Sequence, residues 1–208
     1  MNRAPFHRAV LHRALPAALV LALALSGCAS DSTDDATAAD AAADGSSPTT
    51  SAAAPAVVAP TPGAGTTDGD TFTYEGVTVT GAEGEEPTIT LADDFGPAEE
   101  LLVADVYEGE GDPVDSPQAV VTVHYVGMGE QSREVFDASW EGGEPVTFGL
   151  YQVIPGWTQG LLGMKPGGRR LIIIPGSLGY GEAGNPPEIA PDETLVFVVD
   201  LVEEIASP

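Results

Sequence analysis

The fold class is decided at Val153-Ile154-Pro155-Gly156-Trp157, the stretch that begins the one helix predicted in the C-terminal half of the chain. Proline suits the first turn of a helix, where its missing N–H leaves no hydrogen bond unmade. Trp157, Leu161 and Met164 recur at helical spacing. The stretch Met164-Lys165-Pro166-Gly167 should end the helix, because proline and glycine both interrupt helices. We therefore predict a single short helix here.

Five strand-like runs lie around this helix in the sequence. They are rich in β-branched and aromatic residues and cover residues 101–107, 119–126, 145–151, 169–174 and 194–202. Two of them alternate, which predicts one shared, half-buried face in each strand. The alternating sets are Val121, Val123 and Tyr125 in one run and Leu195, Phe197, Val199 and Leu201 in the other. One helix against one antiparallel sheet predicts an α+β domain.

The sequence of residues 71–97 predicts an N-terminal extension with short strands. Val77-Thr78-Val79-Thr80 and Thr88-Ile89-Thr90-Leu91 are β-branched runs separated by Gly81 and Gly84. They fit a hairpin or two added strands. The pattern leaves open whether they complete the sheet or serve a partner.

The first 27 residues have the composition of an export signal. Arg3, Arg8 and Arg13 precede an apolar run over residues 14–25, which is shorter than the roughly 20 residues that span a bilayer. Leu25-Ser26-Gly27-Cys28 resembles a bacterial lipobox, so we predict a lipoprotein signal peptide over 1–27 and a lipid anchor on Cys28. The protein would then be exported and held at the outer face of the bacterial cytoplasmic membrane. The alternative is an ordinary secretory signal with an incidental cysteine, although Cys28 is the only cysteine.

Residues 28–70 have the composition of an acidic linker. After Cys28 they are mainly Ala, Ser, Thr, Asp, Gly and Pro, with no aromatic residue, and such a segment cannot bury enough apolar surface to offset its conformational entropy. We therefore predict a disordered tether. The whole chain has 32 acidic and 7 basic residues and a net charge of −25, which excludes nucleic-acid binding through a basic face.

Standard catalytic sets are missing from the sequence. It has no nucleophile-elbow motif and no metal-ligand cluster, since beyond the predicted signal peptide it holds one histidine, His124, and Cys28. The pattern predicts an activity that uses no covalent step, metal or cofactor.

Several motifs, in order and spacing, resemble those of the FKBP family of peptidyl-prolyl isomerases. They are Val123-His124-Tyr125-Val126-Gly127, Phe136-Asp137-Ala138-Ser139, Val153-Ile154-Pro155-Gly156-Trp157, Gly179-Tyr180-Gly181 and Leu195-Val196-Phe197. We assign residues 98–208 to this domain. The resemblance implies a five-stranded antiparallel sheet wrapped around the short helix, isomerase activity on proline-containing unfolded or exported polypeptides, and a monomer.

The resemblance also implies an apolar pocket between sheet and helix. Trp157 would form its floor, Tyr180 would donate a hydrogen bond to a substrate carbonyl, and Asp137 would orient the substrate. The residues implied to hold the proline ring are Tyr125, Phe136, Val146, Val153, Ile154, Ile189 and Phe197. Taken singly, Phe148 is expected in the core, and Asp137 could instead cap a turn. The glycines beside the aromatics, among them Gly156, are expected to open space.

Departures from the family pattern lie around the pocket rim. Val146 stands where a phenylalanine is common, Asn185 where histidine is frequent, Gly142 where arginine is frequent, and Glu188 beside Ile189 where a second aliphatic residue is usual. They leave the pocket centre intact but change its rim. The resemblance implies macrolides as candidate ligands, and the changed rim affects how tightly these would bind.

Two alternatives to a folding enzyme remain at this point. The same pocket could grip proline-containing segments, as a chaperone or assembly module with incidental turnover. The acidic tether could instead be the working part of a surface lipoprotein.

Overall fold

Two antiparallel sheets and a single α-helix make up residues 59–205, the part of the chain that the computed structural model describes. The predicted signal peptide, the lipobox cysteine and the linker up to residue 58 lie outside the described residues. No helix within residues 59–205 is long and apolar enough to cross a membrane.

The smaller sheet consists of four short strands in chain order: β1 (Thr66–Asp68), β2 (Thr71–Tyr74), β3 (Val77–Thr80) and β4 (Thr88–Leu91). The bounds of β3 and β4 agree with the two runs picked out in the sequence. The strand β1 lies inside the segment predicted to be linker, so the folded part begins earlier than Asp70. Its three residues are exposed polar ones, and for that reason the composition did not indicate a strand.

The larger sheet contains six strands. They are β5 (Leu102–Tyr107), β6 (Val120–Gly129), β7 (Val135–Ala138), β8 (Val146–Gly149), β9 (Arg169–Ile174) and β10 (Leu195–Ile205). Their order is β5-β9-β10-β6, and both β7 and β8 pair with the remaining edge of β6. Because β8 pairs with residues 120–123 and β7 with residues 126–128, the six strands fill five positions. The predicted fold class is confirmed, although the sequence did not reveal the four-residue strand β7.

The helix α1 (Pro155–Gly160) packs across the inner face of this sheet, with Pro155 in its first turn as predicted. It ends before the predicted stop at residues 164–167. Arg170 of β9 gives the physical reason, since its Nη1 donates to the carbonyls of Gly160 (2.9 Å) and Leu162 (3.0 Å). These carbonyls are therefore satisfied by a side chain rather than by a further helical turn. Four 3-10 turns complete the local structure: Ser139–Gly142, Leu150–Gln152, Gly176–Leu178 and Gly181–Ala183.

Both faces of the larger sheet are buried, which differs from the half-buried strands that alternation predicted. The inner face packs on α1, and the predicted sets of β6 and β10 are at most 8% exposed there. On the outer face, Val126, Val196 and Val198 pack in a second core with Phe72, Val79 and other apolar residues of the smaller sheet. The extension thus forms a second layer and does not complete the larger sheet.

A buried arginine links the two layers. Arg169 is fully buried and its Nη2 lies 2.6 Å from Oδ2 of Asp200 on β10. The same guanidinium donates to the carbonyls of Gly81, Ala82 and Glu85 in the loop between β3 and β4. All of its polar contacts are therefore within the protein, as a buried charge requires.

Candidate active site

A cavity of about 440 Å³ opens between α1 and the inner face of the larger sheet. Its lining is mostly aromatic and aliphatic, with a carboxylate and two hydroxyls among the polar groups. The lining residues are Tyr125, Phe136, Asp137, Phe148, Gln152, Val153, Ile154, Trp157, Tyr180 and Phe197. A concave apolar site with a few polar groups is the usual form of a binding pocket.

Trp157 lies at the centre of the aromatic rings that line this cavity. It is 4% exposed, and three rings meet it nearly at right angles: Tyr125 at 5.3 Å, Phe197 at 5.3 Å and Phe148 at 5.8 Å between ring centroids. Edge-to-face pairs of this kind each stabilise by about 0.5–1.5 kcal/mol beyond the area they bury. The indole is therefore held rigidly by the rings around it.

The helix reaches this position because glycines face the sheet. A Cβ at Gly156 would overlap the side chain of Ile174, and one at Gly160 would lie 2.8 Å from Ile172 Cγ2. The expectation that Gly156 opens space beside Trp157 is therefore wrong: it lets α1 lie closely on β9.

A bulge in β7 turns two consecutive side chains toward the cavity. Gly127 pairs with Asp137 and Met128 with Val135, so Phe136 is an extra residue in the ladder. Successive residues of a regular strand point to opposite faces, and a bulge re-aims side chains. Phe136 and Asp137 can consequently both line the cavity.

Gly127 provides the space in which two of the rings meet. A Cβ at this position would lie 2.6 Å from Phe197 Cε1 and 2.9 Å from Phe136 Cζ. The two rings make a T-shaped pair with centroids 5.6 Å apart. A side chain at position 127 would force these rings into the cavity.

Tyr125 and Asp137 are joined by a hydrogen bond in which the phenol donates to Oδ2 at 2.7 Å. Burial raises the pKa of the Tyr125 phenol above its ordinary value, and the bond to the Asp137 carboxylate raises that pKa further. The phenol is thus a stable donor that orients the carboxylate. The backbone of Tyr125 is fixed in turn, because its N–H donates to Oγ of Ser139 at 2.8 Å.

Tyr180, Asp137 and Gln152 are the exposed polar residues of the lining. Tyr180 is 40% exposed and precedes the 3-10 turn Gly181–Ala183, and Asp137 is likewise exposed. Their accessible oxygens can meet a ligand that enters the apolar interior.

Two predicted pocket residues lie outside the lining, and two other residues belong to it. Val146 starts the edge strand β8 with its side chain partly in solvent, and Ile189 is 2% exposed within the core. Phe148 packs against the inner core, as expected, and its ring beside Trp157 also lines the cavity. Gln152 lines it as well. The sequence showed the aromatic type of Phe148 but not the proximity of its ring to the indole.

The polar groups of the lining are the Asp137 carboxylate, the phenols of Tyr125 and Tyr180 and the amide of Gln152. Within residues 59–205 there is no group of three or more His, Cys, Asp or Glu side chains placed to hold a metal ion. The cavity can desolvate an apolar group, and its tyrosine and aspartate can donate to and accept from a neighbouring amide.

Comparison with known proteins shows that residues 113–202 match the FKBP-type peptidyl-prolyl cis-trans isomerase family. A relative named FK506-binding protein from Streptomyces anulatus is 49% identical over 57% of this chain and 96% of its own length. A probable FK506-binding protein from Corynebacterium glutamicum is 42% identical over 57% of this chain and 98% of its own length. A crystal structure of a peptidyl-prolyl cis-trans isomerase from Pseudomonas syringae shares 32% identity over 53% of this chain and 79% of that one, with a TM-score of 0.47. The smaller sheet precedes the residues that match the family.

Proposed function

The chain belongs to the FKBP-type peptidyl-prolyl cis-trans isomerases, and we propose that the aromatic cavity is where it isomerises Xaa-Pro bonds. Its activity is peptidyl-prolyl isomerisation, and its substrates are proline-containing polypeptides. The observation that carries the assignment of the site is that Trp157, Tyr180, Asp137 and the rings around them line one cavity.

The reaction requires no bond to be broken. Amide resonance gives the peptide bond a rotation barrier of about 18–20 kcal/mol, and uncatalysed Xaa-Pro exchange takes tens to hundreds of seconds. As the amide twists, its carbonyl and nitrogen lose their charge separation. An apolar cavity solvates the planar polar amide poorly, so it lowers the free energy of the twisted state relative to the bound planar state.

Each part of the lining has a role in this proposal. The ring edges around Trp157 and the side chains of Val153 and Ile154 hold the proline ring. Tyr180 donates to a substrate carbonyl at the rim. Asp137, oriented by the phenol of Tyr125, positions the amide that twists.

Exchange of an Xaa-Pro peptide with and without the full chain tests the assignment. Magnetisation-exchange NMR measures the cis/trans rate directly for wild type, Asp137→Val and Tyr180→Phe. Loss of one hydrogen bond, about 1 kcal/mol, should lower kcat/KM roughly fivefold for Tyr180→Phe. A larger loss is expected for Asp137→Val, because the Tyr125 phenol loses its acceptor as well.

The same experiment separates the enzyme from its alternative. Peptide binding, seen as shifts of the peptide resonances, without faster exchange would indicate a module that grips proline segments. Full activity in both variants would place catalysis outside this cavity.

We further propose that the enzyme is an exported lipoprotein that acts, as a monomer, on proteins emerging from the secretion machinery. Leu25-Ser26-Gly27-Cys28 after an apolar run supports an anchor on Cys28, and more than one acyl chain makes such an anchor stable. Mass spectrometry of the N-terminal peptide should find lipid on Cys28. The Cys28→Ser variant should leave the membrane fraction and keep its isomerase activity, whereas an unmodified thiol in the wild type would contradict the anchor.

A macrolide is the second ligand proposed for the cavity. The relatives named above are called FK506-binding proteins, and the volume and lining of the cavity support a large apolar ligand. FK506 should then compete with the Xaa-Pro peptide, and exchange that is insensitive to FK506 would contradict this.

A further inference from the structure

Glu193 is a buried carboxylate that the site described so far does not use. It is 2% exposed and lies just before β10. Within residues 59–205, no lysine or arginine pairs with it. Its Oε1 accepts from the N–H groups of Gln131 (3.0 Å) and Ser132 (3.3 Å), and its Oε2 accepts from that of Ala190 (2.6 Å). An ionised carboxylate accepts only, so three N–H donors suit it.

These donors belong to two different loops. Gln131 and Ser132 lie in the hairpin between β6 and β7, which leads directly into Phe136 and Asp137. Ala190 lies in the segment that runs from Tyr180 back to β10. The hairpin leads into Asp137 and the other segment begins at Tyr180, which are two of the exposed polar residues of the lining, and the Glu193 carboxylate joins the two segments.

Backbone bonds around Glu193 join the same two loops. The carbonyl of Thr194 accepts from the N–H of Glu130 at 3.0 Å, and the N–H of Asp192 donates to the carbonyl of Gly181 at 2.8 Å. Gly181 directly follows Tyr180. The segment 192–194 therefore holds the hairpin on one side and the turn at Tyr180 on the other.

The chain also leaves space for this carboxylate. A Cβ at Gly129, the last residue of β6, would overlap Glu193 Oε1. Because position 129 has no side chain, the carboxylate can reach the hairpin N–H groups.

We infer that Glu193 is a positioning residue for the isomerase, which sets the distance across the cavity rim between Asp137 and Tyr180. The inference rests on the cavity being the active site, as proposed above. Glu193 acts through the two loops and does not itself line the cavity.

The test compares Glu193→Gln and Glu193→Ala with Thr194→Val in the full chain. A glutamine keeps the shape but offers one acceptor oxygen, so one of the two loops is released, and alanine releases both. Thr194 is an equally buried neighbour whose hydroxyl accepts from Ala98 N–H (2.9 Å), away from both loops. Each variant is assayed well below its own unfolding temperature by exchange of the Xaa-Pro peptide, with kcat and KM measured separately.

Glu193→Gln should lower kcat/KM roughly tenfold, which is less than the roughly hundredfold loss that a 1 Å misplacement of a catalytic group can cause, and Glu193→Ala should lower it further. The backbone amide resonances of Asp137 and Tyr180 should shift in both variants and stay in place in Thr194→Val, which should keep kcat and KM. If Glu193 only stabilised the fold, its variants would have a lower unfolding temperature but unchanged kcat, KM and amide resonances of Asp137 and Tyr180.

Folded Glu193 variants with wild-type kcat and KM would overturn the inference, and so would failure of both variants to fold at any temperature. Asp137→Val measured alongside separates the two proposals. If that variant keeps full activity, the assignment of the cavity fails. If it loses activity while the Glu193 variants do not, only the positioning role fails.

Discussion

At the scale of single residues, the hydrogen bond between Tyr125 and Asp137 is the polar contact that prepares the cavity for substrate. The phenol is buried on β6 while the carboxylate is exposed on β7. A fixed donor behind an accessible carboxylate orients it before substrate arrives, which lowers the cost of ordering it during the reaction.

The variant Tyr125→Phe should therefore lower kcat/KM about fivefold, because one hydrogen bond of about 1 kcal/mol is lost. Tyr151→Phe is a matched control, since Tyr151 is 57% exposed and lies outside the cavity lining. Exchange of the Xaa-Pro peptide measures both. Equal losses in the two variants would show that the bond to Asp137 is unimportant.

The pH profile gives a second test of the same bond. Because the pKa of Tyr125 lies above its ordinary value, the donor should persist as the pH rises to about 10, the pKa of a free phenol. Wild-type activity should show no loss from Tyr125 ionisation across this range.

The residues of the cavity could be predicted from the sequence where they belong to local motifs. Trp157 and Tyr180 were assigned to the pocket from motifs that resemble those of the family, and the structure places both at the cavity. Val146 and Ile189 were assigned by resemblance, yet strand-edge exposure and core burial keep them out of the lining. Whether a side chain reaches the lining depends on packing between strands that are distant in the sequence. A local sequence pattern carries no information about that packing.

At the scale of elements, the ends of α1 and the bulge in β7 determine the shape of the cavity. The Arg170 guanidinium donates to four acceptors: two carbonyls at the end of α1 and both carboxylate oxygens of Asp105 on β5. The helix carrying Trp157 is thereby fixed to two strands of the larger sheet.

Replacing Arg170 should cost much of this stability. Arg170→Met leaves the partly buried Asp105 and the helix carbonyls without partners, which should lower the free energy of unfolding by about 3 kcal/mol. Lys165→Met is the control, because Lys165 and Glu108 form an exposed pair at 3.8 Å that should contribute less than about 1 kcal/mol. Urea denaturation measures both, and similar values for the two variants would contradict the role of Arg170.

The sequence could not have predicted the bulge at Phe136. Val135 to Ala138 is too short for an alternating pattern, and the extra residue is visible only in the register with β6. The helix end was also misplaced, because the residue that caps it comes from β9 rather than from the helix itself.

At the scale of the whole molecule, the second layer accounts for the largest difference from the prediction. Alternation in β6 and β10 indicated one buried face, and the apolar residues on the other face were left without a partner. The smaller sheet covers them, with Val77 and Val79 of β3 both buried. Since this layer comes from a separate part of the chain, its docking could not be deduced from either pattern alone.

The acidic surface has one measurable consequence near the C-terminus. Burial raises the pKa of the Glu204 carboxyl, and the nearby Asp115 and Asp112 raise it further. Folded Glu204 thus holds its proton to a higher pH than unfolded Glu204, so its charge lowers stability as the pH rises through this interval.

Glu204→Gln should accordingly stabilise the protein at neutral pH by a few tenths of a kcal/mol. The gain should vanish below pH of about 4.3, where the glutamate of the unfolded chain is protonated too. Glu203→Gln, at the exposed neighbouring position, is the control. Thermal unfolding at neutral pH and at a pH below about 4.3 measures the gain in stability. A gain that persists at the acid pH would contradict the electrostatic cause.

The most direct test of the central claim, that isomerisation occurs on the inner face against Trp157, uses the two tryptophans of the chain. Trp157 lines the cavity at the centre of its aromatic rings. Trp140 instead stacks on His124, with ring centroids 4.0 Å apart, and packs with the outer core. We predict that Trp157→Leu lowers kcat/KM for Xaa-Pro exchange by at least about tenfold, or about 1.4 kcal/mol. Trp140→Leu should retain the wild-type value. Equal activity of the two folded variants, or loss only in Trp140→Leu, would contradict the account.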